Sequence, residues 1–284
     1  MKNNIDVLDK LRGEGPKLFL VGRPNFDYNS FLGFLETEGE SWLKSEEAST
    51  PENIVEVAGR LCYMSFGSRQ FRKCNKDYID NLIKQGHESV LEHVSWSFIL
   101  TGVSRAFTHQ LVRHRVGFSF SQLSQQYHDE NDATFVMPNI IARFENLVKS
   151  WRRSVRQSKR AYQELLGFLQ SDAFHRLTPL EKREFHRAVR TAARSVLPNA
   201  IETTICFTAN ARAIRHFLAI RGGIPGDEEM RIVSALMLET LNQEAAALFS
   251  DFAIEQMDDG SPIVRQIPID ENTKEAPALK EVAR

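Results

Sequence analysis

The chain has 284 residues, enough for one large domain or two, and its 42% hydrophobic and 26% charged content is that of an ordinary soluble globular protein. A net charge of −1 supplies no bulk attraction to nucleic acid or to an anionic membrane, and no apolar run approaches the roughly 18–20 residues of a membrane-spanning helix. Cys62, Cys74 and Cys206 fall at unrelated spacings that suggest neither a disulfide framework nor a zinc site, and the opening MKNNIDVLDK lacks an apolar signal core, so the expected address is the cytoplasm.

Lys17 to Val21 reads as an opening strand, Pro24 to Ser30 as a turn-rich loop, and Gly39 to Ser49 as an acidic, polar surface excursion. From Pro51 the apolar positions Ile54, Val55, Ala58, Leu61 and Cys62 recur at helical intervals, with Thr50 as the expected N-cap and Pro51 at the first helical position. A second helix spans Lys76 to Gln85 and closes at Gly86. In HESVLEH, Ser89 and Glu92 have capping-box spacing. A strand follows, because Val94, Trp96, Phe98 and Leu100 alternate with Ser95, Ser97, Ile99 and Thr101. Gly102 is expected to end it and Ser104 to cap the next helix. On that helix Gln110, Arg113 and His114 share a face, with Phe107, Leu111 and Val112 opposite, and a Ser/Gln-rich loop then leads to Tyr127.

Asn139 to Gln170 is one long amphipathic pattern with Ile141, Phe144, Leu147, Val148, Trp151 and Val155 on its apolar stripe. Its basic face (Lys149, Arg152, Arg153, Arg156, Lys159, Arg160) lacks interleaved aromatics and reads as solvated rather than RNA-binding. A helix from Pro179 to about Val196 ends in Arg187, Arg190 and Arg194, which suit a helix C-terminus whatever else they do. Ile201, Thr203, Ile205 and Phe207 form a second alternating strand. Asn210 caps the helix ARAIRHFLAIR, and Asp227 caps a final apolar helix through Phe252, read as core or subunit interface. Helices outnumber strands and the strands are not in βαβ register, which makes the class α+β. The expected organisation is residues 1–50 as a strand and variable surface segment, 51–257 as a single main domain, and 258–284 as a flexible tail.

No GxGxxG, P-loop, HExxH or CxxC motif is present, and the eight histidines do not fall into metal-ligand spacing. The distinctive stretch is SRAFTHQLVRHRVGFSFSQLSQQY, Ser104 to Tyr127, which contains no acid. Two passages, Ser95 to Arg115 and Thr203 to Arg221, each run from strand to helix and end in arginine. If the strands pair, Arg113, Arg115, Arg212 and Arg221 approach one cleft, where guanidinium forks suit an anionic or electron-rich ligand. Surface ion pairs with distant glutamates are the alternative.

RHRVGFSFSQLSQQY resembles the signature of the flavin-dependent thymidylate synthases, RHR followed after seven residues by Ser-x-Arg-Tyr. AGRLCYMSF, GHESVLEH, ARSVLPNAIET and NARAIRHFLAIR also resemble that family, in order, from about residue 53 to 253. The resemblance implies an FAD enzyme that moves a methylene from methylenetetrahydrofolate to C5 of a uracil nucleotide, with NADPH reducing the flavin. It also implies a catalytic domain over 51–257 with a central antiparallel sheet flanked by long helices, and a homotetramer with intersubunit active sites; metal, nucleic acid and membrane are not expected from the composition and motifs. Carried over by position, the flavin contacts are His87, Ser89, Glu92, Arg113, His114, Arg115, Asn210, Arg212 and His216. The nucleotide contacts are Arg105, Gln110, Gln122, Ser124, Gln126, Arg187, Arg194 and Arg221, with Arg221 and Ser124 as the catalytic pair. Arg221 is the arginine that holds the uracil carbonyl, where it can stabilise negative charge building on the ring. Three departures stand out: one extra residue between Arg115 and Ser124, Gln126 in place of the signature arginine, and Pro225 where a histidine is common. They leave UMP open beside dUMP as substrate, and a non-catalytic flavin- or nucleotide-binding role as a further reading.

Overall fold

In the computed structural model, which describes residues 15–171 and 178–269, the chain enters on strand β1 (Lys17–Gly22). The expected loop after it is cut short. The Asp27 carboxylate accepts from the Ser30 N–H at 3.0 Å and opens helix α1 (Tyr28–Glu38). Phe31 and Leu35 of α1 bury against Phe66, and Trp42 packs edge-on to Phe31 with ring centroids 5.2 Å apart, so residues 39–49 close over α1 rather than loop away. Helix α2 (Thr50–Leu61) is capped by Ser49, one residue earlier than expected, and Glu52 accepts from the Ser49 N–H at 2.8 Å. Helix α3 (Asn75–Lys84) ends as expected on Gly86, whose φ of 68° suits a residue without Cβ.

HESVLEH forms a 3-10 turn (Glu88–His93), and strand β2 (Ser95–Ser104) follows. Gly102 does not end β2. Its φ of 72° marks an irregularity in the pairing register between Leu100 and Val103, and the strand resumes beyond it. Helix α4 (Arg105–Leu111) is capped by Ser104 as expected. Part of the expected Ser/Gln loop is strand β3 (Phe118–Gln122). The long helix is two: α5 (Asn139–Ala142) and α6 (Glu145–Ser171), with Phe144 between them and 53% exposed. Leu147 is also exposed, whereas Val155 is buried beside Phe135 and Ile201. Helix α7 (Pro179–Ala193) starts at a Thr178 cap and runs into a 3-10 turn, Arg194–Val196.

Strand β4 (Glu202–Asn210) pairs antiparallel with β2 and β3, and β1 pairs with β2, giving a four-stranded antiparallel sheet in the order β1-β2-β4-β3. Helix α8 (Ala211–Arg221) follows β4, capped by Asn210, and helix α9 (Glu228–Ala245) follows Asp227. Alternation on β2 and β4 points Trp96, Phe98 and Leu100 with Ile205, Phe207 and Ala209 to one face, where all are buried. Met230, Val233, Met237, Leu238 and Leu241 of α9 are buried in the same core. That last helix is therefore core of this chain, and it stops at Ala245 rather than Phe252. The α+β class and the antiparallel sheet stand as expected.

Strands β5 (Phe252–Gln256) and β6 (Pro262–Gln266) make a hairpin that was not expected, since 258–284 reads as tail. Residues 270–284 lie outside the described residues. The hairpin fixes the end of α8: Val264 N–H donates to Gly222 O at 2.9 Å, and a Cβ on Gly222 would sit 2.6 Å from both Leu218 O and Val264 Cβ. Gly222→Ala is expected to force the hairpin off α8 at a cost of about 1–3 kcal/mol, seen as a lower midpoint in thermal unfolding. An unchanged midpoint would show that this contact does not constrain the fold.

Candidate functional site

Because β2 and β4 are antiparallel neighbours, α4 and α8 start from opposite ends of the sheet, and their C-terminal ends meet. Arg221, the last residue of α8, donates from Nε to His114 Nε2 at 3.1 Å and from Nη1 to Gln110 Oε1 at 3.3 Å. Gln110 in turn donates from Nε2 to Asp227 Oδ2 at 2.8 Å. A histidine nitrogen that accepts from a guanidinium must be unprotonated, so the His114 proton sits on Nδ1. Burial, with Arg221 and His216 nearby, pushes the His114 pKa below 6.5 and keeps the ring neutral. Phe217 packs edge-on to the ring at 5.1 Å. Arg221 is thus partly buried with its charge met by neutral acceptors.

Of the face expected on α4, Gln110 and His114 converge on Arg221, but Arg113 does not. The α-helix ends at Leu111, and Arg113 and His114 continue as tighter turns, with N–H groups bonded to Gln110 O and Leu111 O. That change of twist sends Arg113 to solvent beside exposed Arg115. Neither arginine side chain has a carboxylate partner among the described residues. Gly117, at φ 73°, brings this turn against α8, where an added Cβ would lie 2.7 Å from Ala213 Cβ and 2.8 Å from Asn210 Nδ2.

The expected cleft of four arginines is not formed as drawn. Arg212 lies about 14 Å from Arg221 along the axis of α8 and is ion-paired with Glu92 at 2.6 Å and Glu88 at 3.7 Å. His216 follows Arg212 by one turn on an exposed face, 6.4 Å from the His114 ring. His87 at the start of the 3-10 turn, and Ser89 and Glu92 within it, are exposed, and the turn packs on α8. Arg113 and Arg115, without a carboxylate partner among the described residues, and the exposed imidazoles of His87 and His216 are donors of the kind a dinucleotide takes: cations for a pyrophosphate and imidazoles for a ring system.

A second cluster gathers around the turn at Leu123–Tyr127. Arg105 Nη2 donates to Leu123 O at 2.7 Å, Arg190 Nη1 donates to Tyr127 O at 3.1 Å, and the Arg187 guanidinium lies 5.0 Å over the Tyr127 ring. Arg187 also pairs with Glu184 at 3.0 Å. Burial lowers the Arg105 pKa, opposed by Glu130 and reinforced by the charge of Arg194, which faces the same space. Arg105 Nε and Arg190 Nε are buried without a hydrogen-bond partner among the described residues, the condition in which an anion is welcome. Ser124 Oγ accepts from Gln126 N–H at 3.3 Å, so Ser124 shapes the turn. Gln122 points inward to Thr108 Oγ1 at 3.0 Å and serves as a strut of β3. Arg190 and Asp227 were legible only as a helix-end cation and a helix cap. The contacts that add to those roles come from distant segments and leave no local signal.

Among the described residues no group of His, Cys, Asp or Glu could hold a metal ion, and no helix is long and apolar enough to cross a membrane.

A family model described as thymidylate synthase complementing protein matches residues 45–246. A flavin-dependent thymidylate synthase of Corynebacterium aurimucosum is 38% identical over 229 residues, covering 80% of this chain and 90% of the relative. Enzymes of the same name from Mycobacteroides abscessus and Mycolicibacterium gilvum are 41% and 42% identical, each over 220 residues, 77% of this chain and 86% of the relative.

The lowered His114 pKa has a consequence for stability. The unfolded chain binds this proton near pH 6.5 and the folded chain only below it, so stability is complete above 6.5 and falls as pH drops toward the folded value. His114→Gln retains an acceptor and cannot titrate. Its unfolding midpoint should fall less than wild type between pH 7.5 and 5.5, and parallel losses would refute the neutral-ring assignment.

Proposed function

The chain belongs to the family of the thymidylate synthase complementing proteins, the flavin-dependent thymidylate synthases, and on that footing we propose that it methylates C5 of dUMP to give dTMP. It is an FAD-dependent enzyme of the thymidylate synthase type. The thymidylate name carried by its relatives favours dUMP over UMP, and an enzyme over a non-catalytic binder. Methylenetetrahydrofolate is the proposed carbon donor and NADPH the proposed reductant of the flavin. When bound, FAD supplies the hydride chemistry that completes the methyl group, and the protein supplies position and electrostatics.

The observation that carries the site assignment is the state of Arg221. Arg215 is neutralised by Asp251 and Arg212 by Glu92, but Arg221 meets the imidazole of His114 and the amide of Gln110. Its positive charge remains available to a uracil carbonyl, where a fixed guanidinium lowers the energy of charge that builds as C5 becomes nucleophilic. Arg113 and Arg115 are proposed to take the FAD pyrophosphate, with His87, Ser89, His114 and His216 toward the ring system, while Glu92 aligns Arg212 and Asn210 holds the start of α8. Arg105, Arg187 and Arg194, with Ser124 and the turn at Gln126, form the phosphate end of the nucleotide site.

A homotetramer with shared sites is also proposed. Since α9 is consumed in the chain's own core, support for it comes from the opposite face of the sheet, where Phe19 and Val21 are 50% and 55% exposed.

Incubation with FAD, NADPH, methylenetetrahydrofolate and either dUMP or UMP is expected to yield the C5-methylated product from dUMP. Exclusive turnover of UMP, or a flavin-bound protein that never releases tritium from labelled C5, would overturn the reading. Arg221→Ala should abolish turnover while FAD remains bound, and a variant that keeps its activity would remove Arg221 from its role.

A further inference from the structure

Asp227 uses its two carboxylate oxygens in two different tasks. Oδ1 accepts from Met230 N–H at 3.1 Å and caps α9, whereas Oδ2 accepts from Gln110 Nε2 at 2.8 Å. The second contact is not needed for capping and bridges positions far apart in the chain.

An amide side chain can present either its oxygen or its NH2 group to a neighbour, and the hydrogen-bond partners decide which. A carboxylate can only accept, so Asp227 compels Gln110 to turn its NH2 group toward α9. The Gln110 oxygen then faces Arg221, whose Nη1 donates to it at 3.3 Å. With the amide reversed, NH2 would confront guanidinium N–H, donor against donor, and Arg221 would be driven from its place beside His114.

We propose that Asp227 is a positioning residue, which sets the orientation of the Gln110 amide and through it holds Arg221 where it meets the substrate. This inference rests on the proposed role of Arg221. It assigns to Asp227 a part in the reaction without contact to nucleotide or flavin. It also gives a physical reason for a neutral residue at position 110: an acid there would cancel the charge of Arg221 and repel Asp227.

Asp227→Asn separates the two tasks. Asparagine caps a helix about as well as aspartate, but its single oxygen is then taken by the Met230 N–H, so its NH2 group occupies the place of Oδ2 and faces Gln110. The Gln110 amide must then reverse to accept from it. Folding, unfolding midpoint and FAD content should therefore stay near wild type, while kcat for dUMP falls about tenfold with KM within about threefold. Unchanged kcat would reduce Asp227 to a cap and overturn the proposal.

A structural arm makes the result independent of activity. In crystals of the Asp227→Asn variant without nucleotide, Arg221 should leave His114 Nε2. In Asp227→Asn combined with Gln110→Glu, a carboxylate at 110 accepts from both the introduced asparagine amide and Arg221, and Arg221 should return. An Arg221 that stays on His114 in the single variant, or fails to return in the double variant, refutes the relay. Failure of the wild-type enzyme to turn over dUMP would instead refute the proposed function, with the crystal arm still deciding whether Asp227 positions Arg221.

Discussion

Two carboxylates at the start of α9 hold both ends of α4, and the geometry of the site depends on that clamp. Glu229 accepts from Ser104 N–H and Oγ, both at 2.6 Å, at the N-terminal end of α4, while Asp227 accepts from Gln110 near the other end. A helix as short as α4 is not stable by itself in water and needs such ties. Burial raises the Glu229 pKa, and the hydrogen bonds it accepts from Ser104 act against that rise. The clamp works because α9 is itself anchored by Met230, Val233, Met237 and Leu238 in the sheet core. Core packing of α9 is thereby converted into the position of Gln110 and His114.

A second buried polar network secures the N-terminal side. Glu56 accepts from Arg60 Nε at 2.6 Å, Asn75 Nδ2 at 2.6 Å and Trp42 Nε1 at 3.2 Å, and Arg60 donates onward to the carbonyls of Ser65 and Arg72. Both charges are essentially fully buried. A buried pair gains little over an apolar one of the same shape, but loss of one partner strands the other and costs about 3–5 kcal/mol. The network fixes which segments meet: α2, α3, the segment through Trp42 and the turn before α3.

The arginines differ by what neutralises them. Arg215 is buried and bidentate to Asp251 at 2.5 and 2.8 Å, a structural tie between α8 and the start of the hairpin. Arg212 is exposed and shared between two glutamates. Arg221, on the same helix, finds an imidazole held neutral and an amide. One helix therefore carries a structural, a surface and a functional guanidinium, and partner chemistry rather than residue type separates them.

The sequence by itself determined the elements whose signal is local. Alternation marked β2 and β4, and Ser104, Asn210 and Asp227 were legible as caps because a cap is decided by a few neighbouring residues. The run from Arg113 to Tyr127 and the stretch NARAIRHFLAIR also carried the family resemblance, and the second of them ends in Arg221. Other features depended on distant partners. Phe118 to Gln122 reads as a loop until β4 supplies its hydrogen bonds, and Pro262 to Gln266 reads as tail until β5 pairs with it and Gly222 receives Val264. The spacing of Gln110, Arg113 and His114 placed all three on one face, but the helix stopped at Leu111 and turned Arg113 away. Which arginine keeps its charge free, and which oxygen of Asp227 reaches Gln110, was decided only by tertiary structure. Charge compensation and amide orientation are set by groups brought together across more than a hundred residues of chain, and no local pattern encodes them.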